Sequence, residues 1–464
     1  MYQPLPMDQL LASALPRGSL FAVGGRVRDE LRSANAGGEY IAKDLDYVVV
    51  GVPLADLRDR LEAIGHVDLV GASFSVLKLT HQGQTVDIAL PRRDRSTGSG
   101  HRDFAIESGP HIPLADDLAR RDFRMNMIAR ALPAGDLVDP YGGVSDIQAR
   151  RIDILTPKAF VEDPLRMLRA AGFAARFDFA PTRATQQAMR ESAALVATVS
   201  AERIGEELSK MLVSSAAPSI GLELMRCTGL LQYIWPELLE GDGVEQNVYH
   251  AHDVYRHTLA TVDATPPGDL ILRLAALLHD VGKPRTKDGP HFYRHELVGA
   301  DLVKEMLARY RFSTAVIDGV EHLVRQHMYS ADPALSDAAM RRFIRRVGVP
   351  HLQRQFALRH ADIAGSGLPK RDNSNELFQE RVWAEVERKP PFSIKDMHID
   401  GAAVIAAMIR KGLTTADFRG DERVGQALEH LFEQVTDAPE RNEPSTLQAL
   451  LERYLNACDG VGRA

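Results

Sequence analysis

The chain has 464 residues, a formal net charge of −7 and a hydrophobic fraction of 45%. This length is too great for one ordinary core and predicts two to four domains. The apolar and charged fractions are those of a soluble globular protein. The acidic balance argues against a general nucleic-acid coat, although basic clusters such as Arg120-Arg121 remain available to bind RNA.

No segment predicts a membrane or secretory location. The first fifteen residues have neither a basic leader nor a long apolar run, and no later window holds about twenty uninterrupted apolar residues. Cys227 and Cys458 are far apart and in no metal-ligand spacing, which predicts two reduced thiols. We therefore expect a cytoplasmic protein, monomeric or homodimeric, that makes no membrane contact.

The predicted elements change character along the chain. Up to about residue 131, short β-branched runs at 20–23, 46–50, 76–79 and 85–89 alternate with amphipathic stretches such as 54–64. After Pro157 helical periodicity takes over, as at 165–177, 203–212, 270–278 and 297–307. The fold class predicted is α+β, with domains at 1–150 (an α/β head), 151–240 (a helical neck), 241–385 (a helical body) and 386–464 (a helical tail).

A glycine pair follows the first predicted strand. Gly24 and Gly25 stand between that strand and a predicted helix that contains Arg28. Glycines at a helix start let the backbone approach a phosphate, where free N–H groups and the helix dipole favour an anion. The segment therefore predicts a phosphate site, with Arg28 as a bidentate contact.

Paired carboxylates follow on the next strand. Asp44 and Asp46 are two apart, so on an extended segment they project from the same face. Two such carboxylates repel each other unless a divalent cation lies between them, and Mg²⁺ takes carboxylate and phosphate oxygens together. Asp87 on a neighbouring predicted strand completes a candidate two-metal site for in-line nucleotidyl transfer.

Four further segments follow in chain order: 116–123 (DDLARRDF), 139–147 (DPYGGVSDI), 162–166 (EDPLR) and 203–208 (RIGEEL). Together with 21–50 they resemble the motifs of class II tRNA nucleotidyltransferases and bacterial poly(A) polymerases, which belong to the DNA polymerase beta superfamily. The resemblance implies a polymerase-beta-like head that binds tRNA, CTP and ATP. It also implies nucleotide contacts from Arg121, Asp122, Asn126 and Arg169.

The segment 162–166 suggests how a base is chosen. If it is helical, Asp163 and Arg166 share a face and set a hydrogen-bond acceptor beside a donor. Cytosine and adenine both present an amino donor beside a ring-nitrogen acceptor, whereas uracil and guanine would leave buried groups unpaired, at about 1–3 kcal/mol each. The pair therefore favours C and A, and the resemblance assigns it to nucleotide selection.

Three segments bear on how far the resemblance extends. Gly172 stands where the family usually has an arginine, and Met127 is larger than the usual residue there, which is expected to reshape the pocket wall. The polar segment 92–104 resembles the mobile loop of enzymes that complete the terminal adenosine. Its presence makes an enzyme that adds only C less favoured.

The body contains ordered histidines. His279-Asp280 ends an apolar helical run, and burying these two side chains is costly unless a divalent metal pairs with them. With His257, His295, His327 and Asp362, the pair resembles the HD phosphohydrolase superfamily. The resemblance implies a one- or two-metal site, holding Mn²⁺, Ni²⁺ or a similar ion, or Mg²⁺, with phosphatase and 2′,3′-cyclic phosphodiesterase activity on RNA ends.

These features predict an enzyme that adds C, C and A to tRNA without a template and carries an HD hydrolase. A poly(A) polymerase or A-adding enzyme is the alternative among transferases, and a mainly HD-type phosphohydrolase with an RNA-binding head is the alternative from another class. The tail helices either hold the tRNA or merely pack on the body.

Overall fold

The computed structural model describes residues 2–35, 45–70, 76–96, 104–370 and 372–461. The chain divides into two compact units. The first comprises Met1–Leu239, Pro266–Leu270 and Ala308–Phe312, and the second comprises Glu240–Thr265, Ile271–Leu307 and Ser313–Ala464. Within the described residues, no helix combines the length and the apolar character that crossing a membrane requires.

A mixed seven-stranded sheet forms the core of the first unit. Its strands are β1 Leu20–Val23, β2 Asp46–Val49, β3 His66–Val70, β4 Val76–His81, β5 Gln84–Ala89, β8 Ala129–Ala131 and β9 Leu137–Val138. Their order is β3-β4-β5-β2-β1-β8-β9, and only the β2–β5 pair is parallel. The sequence predicted β1, β2, β4 and β5 but not the outer strands, which are short or carry no clean alternation.

Strands β6 Arg92–Ser96 and β7 Phe104–Ser108 form a separate antiparallel hairpin. The segment 92–104, expected to be a mobile loop, is strand rather than loop in its described residues, 92–96 and 104. An ion pair of 2.9 Å between Arg93 and Glu107 joins the two strands. Residues 97–103 of the same segment lie outside the described residues.

Among the described residues of this unit, twelve α-helices, mostly short, surround and follow the sheet. They are α1 Pro6–Ala14, α2 Gly25–Asn35, α3 Leu54–Glu62, α4 Leu114–Ala119, α5 Gly143–Gln148, α6 Ala159–Glu162, α7 Leu165–Phe177, α8 Arg183–Ser192, α9 Ala201–Ser214, α10 Pro218–Cys227, α11 Leu231–Ile234 and α12 Pro236–Leu239. Two-residue strands β10 Arg151–Ile152 and β11 Ala180–Pro181 pair in parallel, a small exception to the expected all-helical neck.

Where the structure describes it, the second unit is helical apart from one small hairpin, β12 Lys287–Asp288 and β13 His291–Phe292. Its helices lie in it wholly or for most of their length: α13 Val254–Asp263, α14 Leu270–Leu278, α15 His295–Arg309, α16 Thr314–Gln326, α17 Asp337–Val347, α18 Leu352–Gly365, α19 Ser374–Glu387, α20 Gly401–Arg410, α21 Glu422–Asp437 and α22 Pro444–Val461. The α+β class predicted from the sequence is confirmed, since a mixed sheet precedes a helical remainder.

A buried ion pair supports the strand that carries Asp46. Asp8 on α1 lies 2.6 Å from Arg26 on α2 and accepts a hydrogen bond of 2.7 Å from the Tyr47 hydroxyl. Burial raises the pKa of Asp8, but the bonds from Arg26 and Tyr47 outweigh it and hold that pKa below its ordinary value. Because strand side chains alternate, anchoring Tyr47 inward turns Asp46 to the opposite face.

Candidate functional site

The first unit holds a cavity of about 670 Å³, which we call the head pocket. Residues that the sequence predicts for catalysis or nucleotide binding line it: Gly24, Gly25, Arg28, Asp46, Arg121, Asp122, Asn126, Asp163, Arg166 and Arg169. Asp87 does not line the cavity, and Asp44 lies outside the described residues. The predicted residues that line the head pocket thus come together from distant parts of the chain.

The glycine turn brings a cation and a carboxylate to the start of α2. Gly24 has φ +72°, which favours glycine, and a Cβ built there would lie only 2.8 Å from Arg121 Nη1. The same position lies 3.8 Å from Asp46 Oδ2. A glycine is therefore required at position 24 for two reasons: the backbone has a positive φ, and Arg121 occupies the space that a side chain would fill beside Asp46.

Asp46 and Asp87 lie opposite each other on parallel strands. They are direct partners in the β2–β5 register, where neighbouring strands run about 4.8 Å apart. In-register residues of a parallel pair project from the same face, so these two side chains point the same way. Asp46 is exposed and Asp87 is half-buried, an arrangement open to a cation from the solvent side.

A chain of hydrogen bonds fixes the arginines of the pocket. Arg28 Nη1 donates to Asn126 Oδ1 (2.8 Å), Asn126 Nδ2 donates to Asp122 Oδ1 (2.7 Å), and Arg169 Nε donates to Asp122 Oδ2 (2.8 Å). Burial raises the pKa of Asp122, but the charge of Arg169 and the bond from Asn126 outweigh it and lower that pKa. Asp122 thus stays ionised and holds Arg169 in place.

An aromatic wall that the sequence analysis missed lies behind these arginines. The Phe173 ring stacks on Phe177 with centroids 5.5 Å apart, and the guanidinium carbons of Arg28 and Arg169 lie 5.1 and 5.4 Å from its centroid. Such cation–π contacts orient guanidinium groups. The spacing of Arg169 and Phe173, four residues apart on one helix, is a signal that would have found this contact.

The base-selecting pair is built differently from the expected helix face. Asp163 has φ −141° and ψ 95°, which is extended, and only Arg166 lies on α7. The expectation that both stand on one helix is wrong because Pro164 follows Asp163, and a residue before proline is disfavoured in the helical region. Both side chains still line the head pocket.

The two groups have separate partners within that pocket. Arg203 on α9 lies 3.2 Å from the Asp163 carboxylate, and Arg166 Nη2 donates to the Arg120 carbonyl at 2.8 Å. Arg203 was not predicted as a site residue. These contacts hold an acceptor and a donor in position without joining them to each other.

The two departures from the family pattern have unequal consequences. Gly172 lines the head pocket, and an added Cβ would meet only Met211 Cβ, at 3.9 Å, so this wall is open. Met127 is 1% exposed and packs with Val23 and Val48 in the core. It does not line the cavity, so the expectation that Met127 reshapes the pocket wall is not supported.

The second unit contains the HD centre, the cluster of six side chains predicted from the sequence. They come from five places: His257 on α13, His279 and Asp280 directly after α14, His295 at the start of α15, His327 directly after α16, and Asp362 on α18. The ligand atoms of His257, His279 and Asp280 lie within 4.8 Å of one another, as do those of Asp280, His295 and His327.

The ring nitrogens of the HD centre are oriented by the backbone. Nδ1 of His279, His295 and His327 lies 2.9, 2.7 and 2.6 Å from a carbonyl oxygen. A carbonyl only accepts, so each Nδ1 carries a proton and each Nε2 faces inward, where it offers a lone pair to a cation once it is deprotonated. Nε2 of His279 lies 3.1 Å from that of His257, and the Nε2 atoms of His295 and His327 are 3.1 Å apart. Converging lone pairs fit a divalent cation.

Asp280 lies between the two histidine pairs. Its Oδ2 is 3.2 Å from His279 Nε2 and 2.6 Å from Lys283 Nζ, while its Oδ1 is 3.4 Å from His295 Nε2. Burial lowers the pKa of His279, but Asp280 and Asp362 outweigh it and raise that pKa to about 10. A metal competes with a proton for such nitrogens, and the donor set of imidazoles and carboxylates would fit one or two divalent cations.

His250 is a neighbour of the centre that the sequence analysis did not single out. Its ring lies edge-on to that of His257, with centroids 4.7 Å apart, and it groups with His257 and Asp362 as a third set of possible ligands. Burial is the first cause that lowers the pKa of His250, to about 4. It precedes α13 in a segment without periodicity, so no helical or strand pattern signals it.

Three family models match the chain. The Poly A polymerase head domain covers residues 20–153, the probable RNA and SrmB-binding site of polymerase A covers 178–241, and the HD domain covers 249–376. The head match includes the predicted site residues from Gly24 to Asn126, and the HD match includes the six residues of the HD centre, whereas Asp163, Arg166 and Arg169 lie between the matched ranges.

Curated relatives and solved structures agree with these matches. The chain is 39% identical over 322 residues to a multifunctional CCA protein of Stenotrophomonas maltophilia (strain R551-3), covering 67% of this chain and 75% of the relative. It is 38% identical over 305 residues to that of Xanthomonas campestris pv. campestris (strain B100), covering 63% and 70%.

In fold, the chain is similar to the Bacillus stearothermophilus CCA-adding enzyme in complex with CTP, with a TM-score of 0.64, 21% identity and coverage of 95% and 94%. It is also similar to the Thermotoga maritima CCA-adding enzyme complexed with tRNA, with a TM-score of 0.56, 21% identity and coverage of 97% and 95%. On the level of identity and the coverage of its curated relatives, the chain belongs to the multifunctional CCA protein family.

Proposed function

We propose that this protein adds C, C and A to the 3′ end of tRNA from CTP and ATP, releases pyrophosphate and uses no nucleic-acid template. The observation that carries the proposal is the position of Asp46 beside the Gly24 turn, in a pocket that also holds Asp163 and Arg166. A phosphate site, a metal-binding carboxylate and a base-reading pair together are what a nucleotidyl transfer needs.

The residues of the head pocket divide the work. The start of α2, Arg28 and Arg121 bind the triphosphate and orient it for in-line attack. Asp44, Asp46 and Asp87 would hold Mg²⁺, which when bound supplies positive charge to the reacting phosphate and helps ionise the attacking 3′-hydroxyl. Asp163 accepts a hydrogen bond from the amino group of C or A, and Arg166 donates one to the adjacent ring nitrogen.

The test uses tRNA that lacks its 3′-terminal nucleotides. The purified chain with Mg²⁺ is expected to incorporate C from CTP alone, and then A from ATP once both cytidines are present. A product extended only with A, however long, contradicts CCA addition and supports the poly(A) or A-adding alternative. No extension with either nucleotide supports a mainly hydrolytic protein with an RNA-binding head.

A second activity is favoured by the converging imidazole nitrogens of the HD centre. We propose that the centre hydrolyses phosphate esters at RNA ends, including 2′,3′-cyclic phosphates. His257, His279, Asp280, His295, His327 and Asp362 would hold Mn²⁺, Ni²⁺ or Mg²⁺, which when bound polarises the phosphate and lowers the pKa of water. Water oxygen then bonds to phosphorus, one ribose–phosphate bond breaks, and the freed ribose oxygen takes the proton.

A metal panel tests this second activity. Hydrolysis of adenosine 2′,3′-cyclic phosphate is expected with at least one of Mn²⁺, Ni²⁺ and Mg²⁺, and is expected to stop on chelation. Absence of hydrolysis with every metal in the panel would contradict it.

A further inference from the structure

Exposed apolar side chains gather at the mouth of the HD centre. A cavity of about 260 Å³ is lined by the metal-site residues Asp280, His295 and His327 and also by Tyr249, Tyr293 and Met328. These last three are 55%, 64% and 54% exposed, among the most exposed large apolar residues described in the chain. Leaving such groups in water is unfavourable, and clusters of them typically mark a binding surface.

Tyr293 already forms part of a flat aromatic surface. Its ring stacks on that of His291 with centroids 5.2 Å apart and planes 23° apart. Both rings sit at the end of the β12–β13 hairpin, and His295, a member of the HD centre, follows Tyr293 by only two residues. Because only Arg294 separates Tyr293 from His295, the aromatic surface lies close to the ring nitrogens of the HD centre.

Two cations lie beside the same cavity. Lys283 Nζ is 2.6 Å from Asp280 Oδ2 and 2.6 Å from Gln246 Oε1, and Arg359 Nη1 is 3.6 Å from Asp362 Oδ2. Lysine and arginine in this position favour an anion next to the HD centre. The mouth of the cavity is therefore aromatic, whereas its interior carries cations that favour a phosphate. The mouth and the interior thus fit different parts of one ligand.

The size of the cavity indicates which part of the ligand lies inside it and which part lies at its mouth. A volume of about 260 Å³ falls just below the ~300–1,000 Å³ typical of pockets that enclose a whole drug-sized ligand. It suits a phosphate and its ribose, and leaves an attached base at the exposed mouth. Bases stack on tyrosine regardless of their identity, because each has a π-face.

We infer that Tyr293, with Tyr249, is a base-stacking platform, so that the HD centre takes the terminal nucleotide of an RNA rather than any small phosphate ester. The inference rests on the proposed phosphohydrolase activity and adds the side chains that recognise the base of its substrate. The platform contacts the base and leaves the reacting phosphate to the metal site.

The experiment compares two cyclic phosphates that differ only by the base: adenosine 2′,3′-cyclic phosphate and methyl riboside 2′,3′-cyclic phosphate. With the metal-loaded full chain, Tyr293→Ala is expected to raise KM for the adenosine compound about 10-fold, without changing kcat or the KM of the base-free compound. Tyr293→Trp keeps a stacking face and is expected to retain the wild-type KM. Tyr233→Ala, which removes an exposed tyrosine of the first unit, is the matched control.

Binding supplies a readout that does not require hydrolysis. Equilibrium dialysis of adenosine 2′,3′-cyclic phosphate against chelated protein is expected to give a weaker Kd for Tyr293→Ala, and for Tyr249→Ala, than for wild type and Tyr233→Ala. Equal KM values for the two compounds in the wild type, or equal Kd values for wild type and Tyr293→Ala, overturn the platform. If neither compound is hydrolysed but the Kd difference is present, the phosphohydrolase proposal fails and the platform stands.

Discussion

The head pocket and the HD centre both gather ionisable side chains, but the partners of those side chains differ between the two sites. In the head pocket the described charges are neutralised largely by each other, as Asp122 is by Arg169 and Asp163 is by Arg203. In the HD centre buried imidazoles turn lone pairs toward one another and toward Asp280. The arginines of the head pocket are held by protein carboxylates, whereas the HD centre presents a converging donor set that would be completed by a cation. Metal removal should therefore affect the architecture of the two sites differently.

The largest expected effect comes from changing a single carboxylate, Asp46, which should affect the activity of the head pocket but not that of the HD centre. Asp46→Asn is expected to lower nucleotide addition about 10³-fold or more, because it removes charge that holds the metal against the triphosphate. Hydrolysis of adenosine 2′,3′-cyclic phosphate should stay at the wild-type level. Asp68→Asn, an exposed carboxylate on β3 of the same sheet, is the control and should leave both activities intact. Loss of both activities in Asp46→Asn would contradict separate sites.

The reciprocal change tests the HD centre. His279→Ala is expected to reduce hydrolysis about 10³-fold and to lower the number of tightly bound metal ions, because a buried ligand is lost. Incorporation of C and A should be unchanged. The comparison variant is His430→Ala, an exposed histidine of the same unit that stacks on Tyr454. Unaltered metal content in His279→Ala, measured by mass spectrometry, would remove His279 from the ligand set.

A smaller effect is expected on base choice. Asp163→Asn replaces an acceptor-only group by one that also donates, so it should narrow the preference for CTP over UTP about 10-fold, the equivalent of about 1.4 kcal/mol. The ratio of kcat/KM for the two nucleotides measures it. Asp178→Asn, at an exposed carboxylate that closes α7, should not change the ratio. A uniform loss for all four nucleotides would indicate a structural role for Asp163 instead.

The smallest effect concerns the aromatic wall. Phe173→Leu keeps the apolar volume but removes the ring beneath Arg28 and Arg169, and is expected to raise KM for CTP and ATP alike by about 3- to 10-fold. Phe173→Tyr retains the ring and should restore the wild-type KM. A change in kcat alone, with KM unaffected, would show that the ring does not position the two arginines.

Local pattern was sufficient for several elements of the fold. The runs at 20–23, 165–177 and 270–278 coincide with β1, α7 and α14: the first is a short apolar run that ends at a glycine, and the other two are long, mostly apolar runs of helical length. Prediction was poorer where pairing partners decide the structure. Strand β6 is polar and highly charged, and it is a strand because β7 pairs with it.

The site followed the same division. Asp46, the Gly24 turn and the six residues of the HD centre were identifiable from spacing and from resemblance, and the structure gathers all of those that it describes. Arg203 and His250 were not assigned to their sites, since each reaches its site through packing of elements that are separate in the chain. Phe173 was missed although its spacing of four residues from Arg169 on one helix does signal the contact. Asp163 was expected to be helical, but Pro164 disfavours the helical conformation in the residue before it. This effect is local, so it could have been predicted from the sequence.

What the sequence determined by itself is chemistry carried by neighbours along the chain: a glycine pair before a helix, an aspartate at the start of a strand, a His-Asp pair at the end of an apolar helix. These follow from the fixed periods of helix and strand. Only the tertiary structure decided which charges neutralise one another and which lone pairs converge. Those depend on distances of a few ångströms between segments up to about a hundred residues apart, which no local period encodes.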